Sequence, residues 1–176
     1  MLTVGGTSNS LGRVDEVVAL VKGDRSRLEE LYHCLFDEDA WVRMRAADAL
    51  EKVCREFPAW MLPYVDGFAR EFAESGQPSI QWHLAQIYRQ IDLTDDQKAV
   101  AIGWLQRLVS TPDVDWIVAA NAMDTLAHFV RDGSLSTADV VPLLEVQQHH
   151  RSRAVVKRAN RLLAELHAMP VPGRRP

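Results

Sequence analysis

An apolar pattern that recurs at nearly constant intervals most constrains how this 176-residue chain can fold. Four positions open the copies, Val42, Ile80, Val118 and Val155, at intervals of 38, 38 and 37 residues. Each copy continues four, eight and eleven positions later with Ala46, Leu50, Val53; Leu84, Tyr88, Ile91; Ala122, Leu126, Phe129; and Ala159, Leu163, Leu166. On an α-helix these offsets fall within about 80° of one another. The pattern therefore predicts four helices, each with one narrow buried stripe.

Turn and capping signals divide the chain into nine predicted helices. Gly23 and Gly133 are helix stops, Pro58 closes another helix, and the segment 94–97 is a capping box. The predicted helices lie near 11–22, 25–36, 40–57, 60–75, 79–91, 95–110, 114–132, 137–149 and 153–168. Each stripe lies on the second helix of a predicted hairpin, helix B, which packs on the helix before it, helix A. A lone hairpin leaves apolar surface exposed, so neighbouring hairpins are expected to stack.

Two segments resemble the HEAT repeat family. The run from Asp37 to Leu50, DEDAWVRMRAADAL, resembles the second half of a HEAT repeat, and ADVVPLL at 138–144 is similar to the first helix. The periodic match covers about residues 25–168. The resemblance implies a right-handed α-solenoid whose B helices line a concave groove, and a binding scaffold more often than an enzyme.

The expected fold is therefore all-α: a short α-solenoid of about four HEAT-like hairpins plus an N-terminal capping helix. Val14, Val17, Val18 and Val21 of the first helix would cover the open end of the first hairpin. We expect one domain over residues 11–168, between a flexible N-terminus at 1–10 and a flexible basic tail at 169–176.

The side of each B helix opposite its stripe is expected to line the groove. The candidate partner-binding residues are Met44, Asp48, Trp82, Gln86, Arg89, Asp124, Lys157 and Arg161. Trp82 is either an exposed anchor for a partner or a side chain packed between helices. The other four tryptophans are interpreted as structural. A polar column beside the groove is expected to form hydrogen bonds between repeats in preference to ligand contacts; it consists of Arg45, His83, Asn121 and Arg158.

Charge is unevenly distributed along the chain. The net charge of −4 is the sum of −10 over residues 1–148 and +6 over residues 149–176. The basic end is either a solvated terminus or a site for an acidic protein partner. A nucleic-acid partner is disfavoured, because such domains have a broad basic face and a high pI, whereas this chain has a pI near 5.8.

Enzyme signatures are poor in this sequence. It has no zinc-ligand spacing, no phosphate-binding glycine loop and no nucleophile elbow. We therefore expect no cofactor, no metal and no catalytic residue, and predict a non-catalytic scaffold that binds a protein or peptide. The alternative is a DNA-binding protein related to HEAT-like alkylpurine DNA glycosylases, in which Trp82, Trp116 and Asp124 would lie near the damaged base.

Compartment signals favour the cytoplasm. Cys34 and Cys54 are expected to be buried free thiols. The longest apolar run is five residues, whereas a membrane-spanning helix needs about 20. The first ten residues do not have the pattern of a signal peptide.

Overall fold

A computed structural model describes residues 12–169, which form helices and turns without a strand. The α-helices are α1 (Val14–Gly23), α2 (Arg27–His33), α3 (Ala40–Glu56), α4 (Val65–Gly67), α5 (Pro78–Tyr88), α6 (Asp95–Leu108), α7 (Trp116–Arg131), α8 (Thr137–Gln147) and α9 (Arg153–His167). Cys34–Phe36 and Pro58–Tyr64 are 3₁₀-helical, and Phe68–Phe72 is a π-helical turn. The predicted all-α fold is confirmed. The predicted flexible segments, 1–10 and nearly all of 169–176, lie outside the described residues.

The repeated stripe forms the core. All sixteen stripe residues are buried, and none of them is more than 7% exposed. The chain divides into two compact units, residues 1–101 and 102–176, and α6 continues through the division. The assignment of 11–168 to a single domain stays a prediction.

In the first unit, α1, α3 and α5 lie side by side and parallel. Lys52 of α3 lies 2.8 Å from Asp15 of α1, and Glu56 of α3 lies 2.7 Å from Lys22 of α1. The later residue of α3 contacts the later residue of α1, so these two helices run in the same direction. The apolar face of α1 buries Val14, Val18 and Val21. This helix therefore packs on α3 as a further B helix would. Its role as an end cap stays a prediction.

The segment between α3 and α5, where a helix was predicted near 60–75, is helical but irregular, because it combines 3₁₀-, α- and π-helical turns from Pro58 to Phe72. Pro58 opens a 3₁₀-helix that contains Pro63, and one α-helical turn then leads into the π-helical turn. Pro63 has no N–H to donate, and its ring clashes with the carbonyl four residues earlier. The apolar periodicity survives in this segment, because Met61, Val65, Phe68 and Phe72 are buried.

An aromatic cluster fixes this irregular segment against α2. The ring of Tyr32 lies 4.6, 5.6 and 5.9 Å from those of Tyr64, Phe68 and Phe72. Gly67 passes so close to Tyr32 that a Cβ atom would overlap the phenol oxygen and lie 3.3 Å from Cζ. A residue without a side chain is therefore needed at this position.

Gly67→Ala is expected to lower the free energy of unfolding by about 1–3 kcal/mol, because the buried Tyr32 ring has neighbours on several sides and cannot move away freely. Urea unfolding measures the loss. Gly103→Ala in α6 is the control, since no atom lies within 4 Å of its added Cβ, and it should be neutral or stabilising. Adding Tyr32→Phe to Gly67→Ala should recover part of the lost free energy of unfolding, because it removes the overlapping phenol oxygen. Equal losses of stability in the Gly67→Ala and Gly103→Ala variants would contradict the overlap.

In the second unit, α7 and α9 are parallel neighbours. Asp124 of α7 contacts Arg158 of α9, and Arg131 of α7 lies 2.8 Å from Glu165 of α9. The contacts follow the same order along both helices, so the helices are parallel. Helix α8 packs against both. The buried Gln147 side chain donates to the carbonyl oxygens of Val109 and Thr111, at 2.9 and 2.7 Å, and so joins the end of α8 to the turn after α6.

Candidate protein-binding surface

A ladder of polar side chains connects the parallel B helices of the first unit. Lys52 Nζ lies 2.8 Å from Asp15 Oδ1 and 3.1 Å from Asp48 Oδ2, and so bridges α1 and α3. His83 of α5 follows, with Nε2 3.9 Å from Asp48 Oδ1. Asp48 was expected to line an open groove, but its side chain is only 9% exposed and lies between helices. Burial raises the pKa of Asp48, and its hydrogen bond to Lys52 opposes that rise.

Glu51 forms a second rung one helical turn further along α3. Its Oε1 accepts hydrogen bonds from Arg55 Nε at 2.7 Å and from Gln90 Nε2 at 2.8 Å. Gln90 follows the end of α5, so the carboxylate links the two helices. Glu51 is 1% exposed, which makes it part of the helix interface.

His83 is, with Glu51, one of the two most deeply buried titratable groups of the ladder. The residue is 1% exposed, and its ring centroid lies 3.4 Å from that of Trp82. Burial, with the positive charges of Arg55 and Lys52, lowers the pKa of His83 to about 3. The histidine is therefore neutral at physiological pH.

The equivalent ladder in the second unit consists of ion pairs. Asp124 of α7 is paired with Arg158, and Arg161 lies 3.5 Å away on its other oxygen. The expected contact between repeats is thus confirmed for Arg158. Glu165 lies 2.8 Å from Arg131 and 2.7 Å from Arg161, and the hydrogen bond from Arg131 lowers its pKa despite its exposure.

An open cleft with apolar walls lies at the N-terminal ends of α3 and α5. Its volume is about 890 Å³, and Trp41, Met44 and Pro78 are among the residues that line it. Trp41 is 39% exposed. The Asp39 carboxylate caps α3 by accepting a 2.8 Å hydrogen bond from the Trp41 N–H, which fixes the start of the helix.

Two residues that line this cleft, Arg43 and Gln77, belong to a hydrogen-bond network. Arg43 donates from Nε to Gln77 Oε1 at 2.9 Å and from Nη1 to the carbonyl oxygens of Asp37 and Glu38. Gln77 Nε2 donates to the carbonyl oxygen of Ala40 and to Ser79 Oγ, both at 2.8 Å. These contacts connect the first turn of α3 to the start of α5.

The predicted groove residues lie in several environments. Met44 is half-buried in the cleft. Trp82 and Gln86 on α5 are half-buried, as is Arg89, which directly follows this helix. Asp124 is half-buried beneath its arginines, whereas Lys157 and Arg161 are exposed on α9.

Sequence reasoning missed the exposure of two tryptophans. The structural interpretation is wrong for Trp41 and for Trp116, which is 52% exposed, and holds for Trp104, which is 3% exposed. Trp60 is half-buried and stacks on Phe57, with ring centroids 4.3 Å apart. Trp41 immediately precedes Val42, so on the helical wheel it lies about 100° outside the nearer edge of the stripe, beside the predicted groove face. That offset is the signal that could have found it.

Both cysteines are free thiols. Cys54 is buried, and burial raises its pKa to about 12, whereas Cys34 is only half-buried. Within residues 12–169, no group of three or more His, Cys, Asp or Glu side chains is arranged to hold a metal ion. Over the same range, no helix combines the length and apolar character needed to span a membrane.

Comparison with known proteins identifies the repeat. A family profile described as the HEAT repeat domain matches residues 7–102, which is more than half of the chain. No curated protein and no solved structure gave a significant match. Proteins of this family generally mediate protein interactions and are typically non-catalytic. The matched segment contains the first two copies of the stripe, which open at Val42 and Ile80, and the polar ladder of the first unit. The chain therefore belongs to the HEAT repeat family.

Proposed function

We propose that this protein is a non-catalytic scaffold that binds a protein or peptide on the surface of its B helices. Its family supports this role, since HEAT repeats generally mediate protein interactions. The free thiols Cys34 and Cys54 favour a reducing compartment, and we place the protein in the cytoplasm.

The observation that carries the proposal is the cleft between the starts of α3 and α5. Trp41 offers a large exposed ring with an N–H donor, and Met44 and Pro78 add apolar surface beside it. Tryptophan in such a setting is a frequent interface hot spot. Because Arg43 and Gln77 are already held by hydrogen bonds, little conformational entropy is lost when a partner binds. The cleft therefore suits an apolar side chain of a polypeptide.

Trp41→Ala should strongly reduce the affinity for the partner and leave the fold intact. The expected loss is at least tenfold, since a tryptophan hot spot contributes about 2 kcal/mol or more to binding. Wild-type and variant chains are immobilised, and the polypeptides that each retains from extract are quantified by mass spectrometry. Because Trp41 is 39% exposed, the free energy of unfolding of the Trp41→Ala variant should be lower than that of the wild type by no more than about 1 kcal/mol.

Trp116→Ala is the matched control, since it removes an even more exposed tryptophan from the start of another B helix, α7. At least one polypeptide should be lost by the Trp41 variant and kept by the Trp116 variant. Retention of the same set by all three chains would contradict a binding role for the cleft.

A further inference from the structure

The exposed face of α9 carries cations that lack partners. Arg153 and Lys157 are four residues apart on this face, and Arg151 immediately precedes the helix. All three are exposed, and none has an ion pair with any residue in 12–169. We call these three residues the α9 basic row.

Two carboxylates of α7 and α9 are already paired with other arginines. Asp124 is bound by Arg158 and Arg161, and Glu165 is bound by Arg131 and Arg161. From residue 149 to the end of the described chain, Glu165 is the only Asp or Glu against five Lys and Arg. The positive charge of the row is therefore available to an anion from another molecule.

The row also weakens the helix that carries it. Like charges four residues apart on a helix repel each other. The row contains such a pair in Arg153 and Lys157, and Lys157 forms another with Arg161. The first turn of α9 contains no acidic residue, whereas α1 and α6 both begin with two. Cations in a first turn are unfavourable next to the positive end of the helix dipole. Residues that reduce stability in the free protein are typical of binding surfaces.

We propose that the α9 basic row binds an acidic α-helical segment of a partner protein, with Glu or Asp at every fourth position. This inference rests on the proposed scaffold function and names a partner chemistry for a second surface. Residues four apart on a helix are separated by about 6 Å along its axis, so a glutamate row of the same spacing matches Arg153 and Lys157. The second unit disfavours nucleic acid as the partner, because residues 102–169 contain seven Lys and Arg against seven Asp and Glu and form no broad basic surface.

The test uses the whole chain and a fluorescein-labelled helical peptide with Glu at three positions spaced by four. Fluorescence anisotropy at about 50 and 150 mM salt should show saturable binding that weakens with salt. Lys157→Glu should weaken binding at least fivefold and raise the midpoint of thermal unfolding by about 2 °C, because it removes two like-charge pairs. Arg107→Glu, an exposed residue of α6, makes the same change in net charge and should leave binding unchanged.

A charge-reversed peptide with Lys at the three positions should bind the Lys157→Glu variant better than the wild type. Equal binding of the acidic peptide to the wild type and both variants, no binding at about 50 mM salt, or tighter binding of a DNA duplex of equal charge would overturn the inference. Trp41→Ala should leave peptide binding unchanged. If the acidic peptide does not bind but retention of a partner still depends on Trp41, the inference about α9 is wrong and the proposed function is unaffected.

Discussion

Lowering the pH from 7 to 5 is expected to reduce the free energy of unfolding by about 2 kcal/mol through His83 alone. The pKa of His83 is about 3 in the folded protein, against an ordinary value of 6.5. Between these values the unfolded chain binds a proton that the folded chain does not bind. Acidification therefore favours unfolding, and the stability that neutral His83 allows is lost progressively as the pH falls below 6.5.

The groups around His83 determine the expected pH window. Lys52 and Arg55 of α3 keep the ring neutral, whereas the Asp48 carboxylate is its only acidic neighbour within 4 Å among the described residues. Burial raises the pKa of Asp48 above its ordinary value of 3.8. Asp48 therefore contributes to the pH dependence of the free energy of unfolding with the opposite sign, at pH values above 3.8. The loss assigned to His83 therefore has to be isolated by comparison with a variant.

His83→Leu removes the titrating ring and keeps an apolar side chain in a buried position. Urea unfolding of both chains at pH 7, 6 and 5 gives the difference in slope, which does not depend on the absolute stability of the variant. The wild type should lose about 2 kcal/mol more than the variant between pH 7 and 5. Parallel pH profiles would show that His83 is accessible to protons in the folded state.

Phe129→Ala is expected to lower the free energy of unfolding by about 3–5 kcal/mol, which is the usual cost of removing a buried aromatic ring. Phe129 closes the third copy of the stripe and is 2% exposed. Phe129→Leu should cost less, because most of the volume is kept. Urea unfolding monitored by circular dichroism measures each loss.

Trp116→Ala in the same helix is the control for Phe129. Trp116 is 52% exposed, so its removal should change stability by no more than about 0.5 kcal/mol. If the two alanine variants were equally stable, the stripe would not be the core of α7.

The fold could be predicted from the sequence because its determinants are local. Helix α3 was predicted at 40–57 and lies at Ala40–Glu56; α9 was predicted at 153–168 and lies at Arg153–His167. Apolar periodicity and capping residues decide such bounds within one or two turns of the chain. The irregular segment between α3 and α5 was missed because Pro63 and the contact of Gly67 with Tyr32 override the same periodicity.

The binding surface was less predictable because each B helix has several neighbours. The stripe of α3 fixes one buried side, but α1 and α5 also cover its flanks through Lys52, Asp48 and Glu51. A helical wheel of one helix cannot show which polar residues face such neighbours, so Asp48 was placed in the open groove. Trp41 was missed for a different reason: its position outside the stripe of its own helix indicates exposure, but it was grouped with the structural tryptophans.

Site-specific photocrosslinking at the cleft tests the scaffold function most directly. A benzoylphenylalanine residue replaces Met44 in the cleft or, as the control, Val100, which is 56% exposed on α6. We predict a discrete covalent adduct with a polypeptide from position 44, absent from position 100 and lost when Trp41→Ala is added. Adducts of equal yield from both positions, or no polypeptide adduct from position 44, would contradict a protein-binding role for this surface.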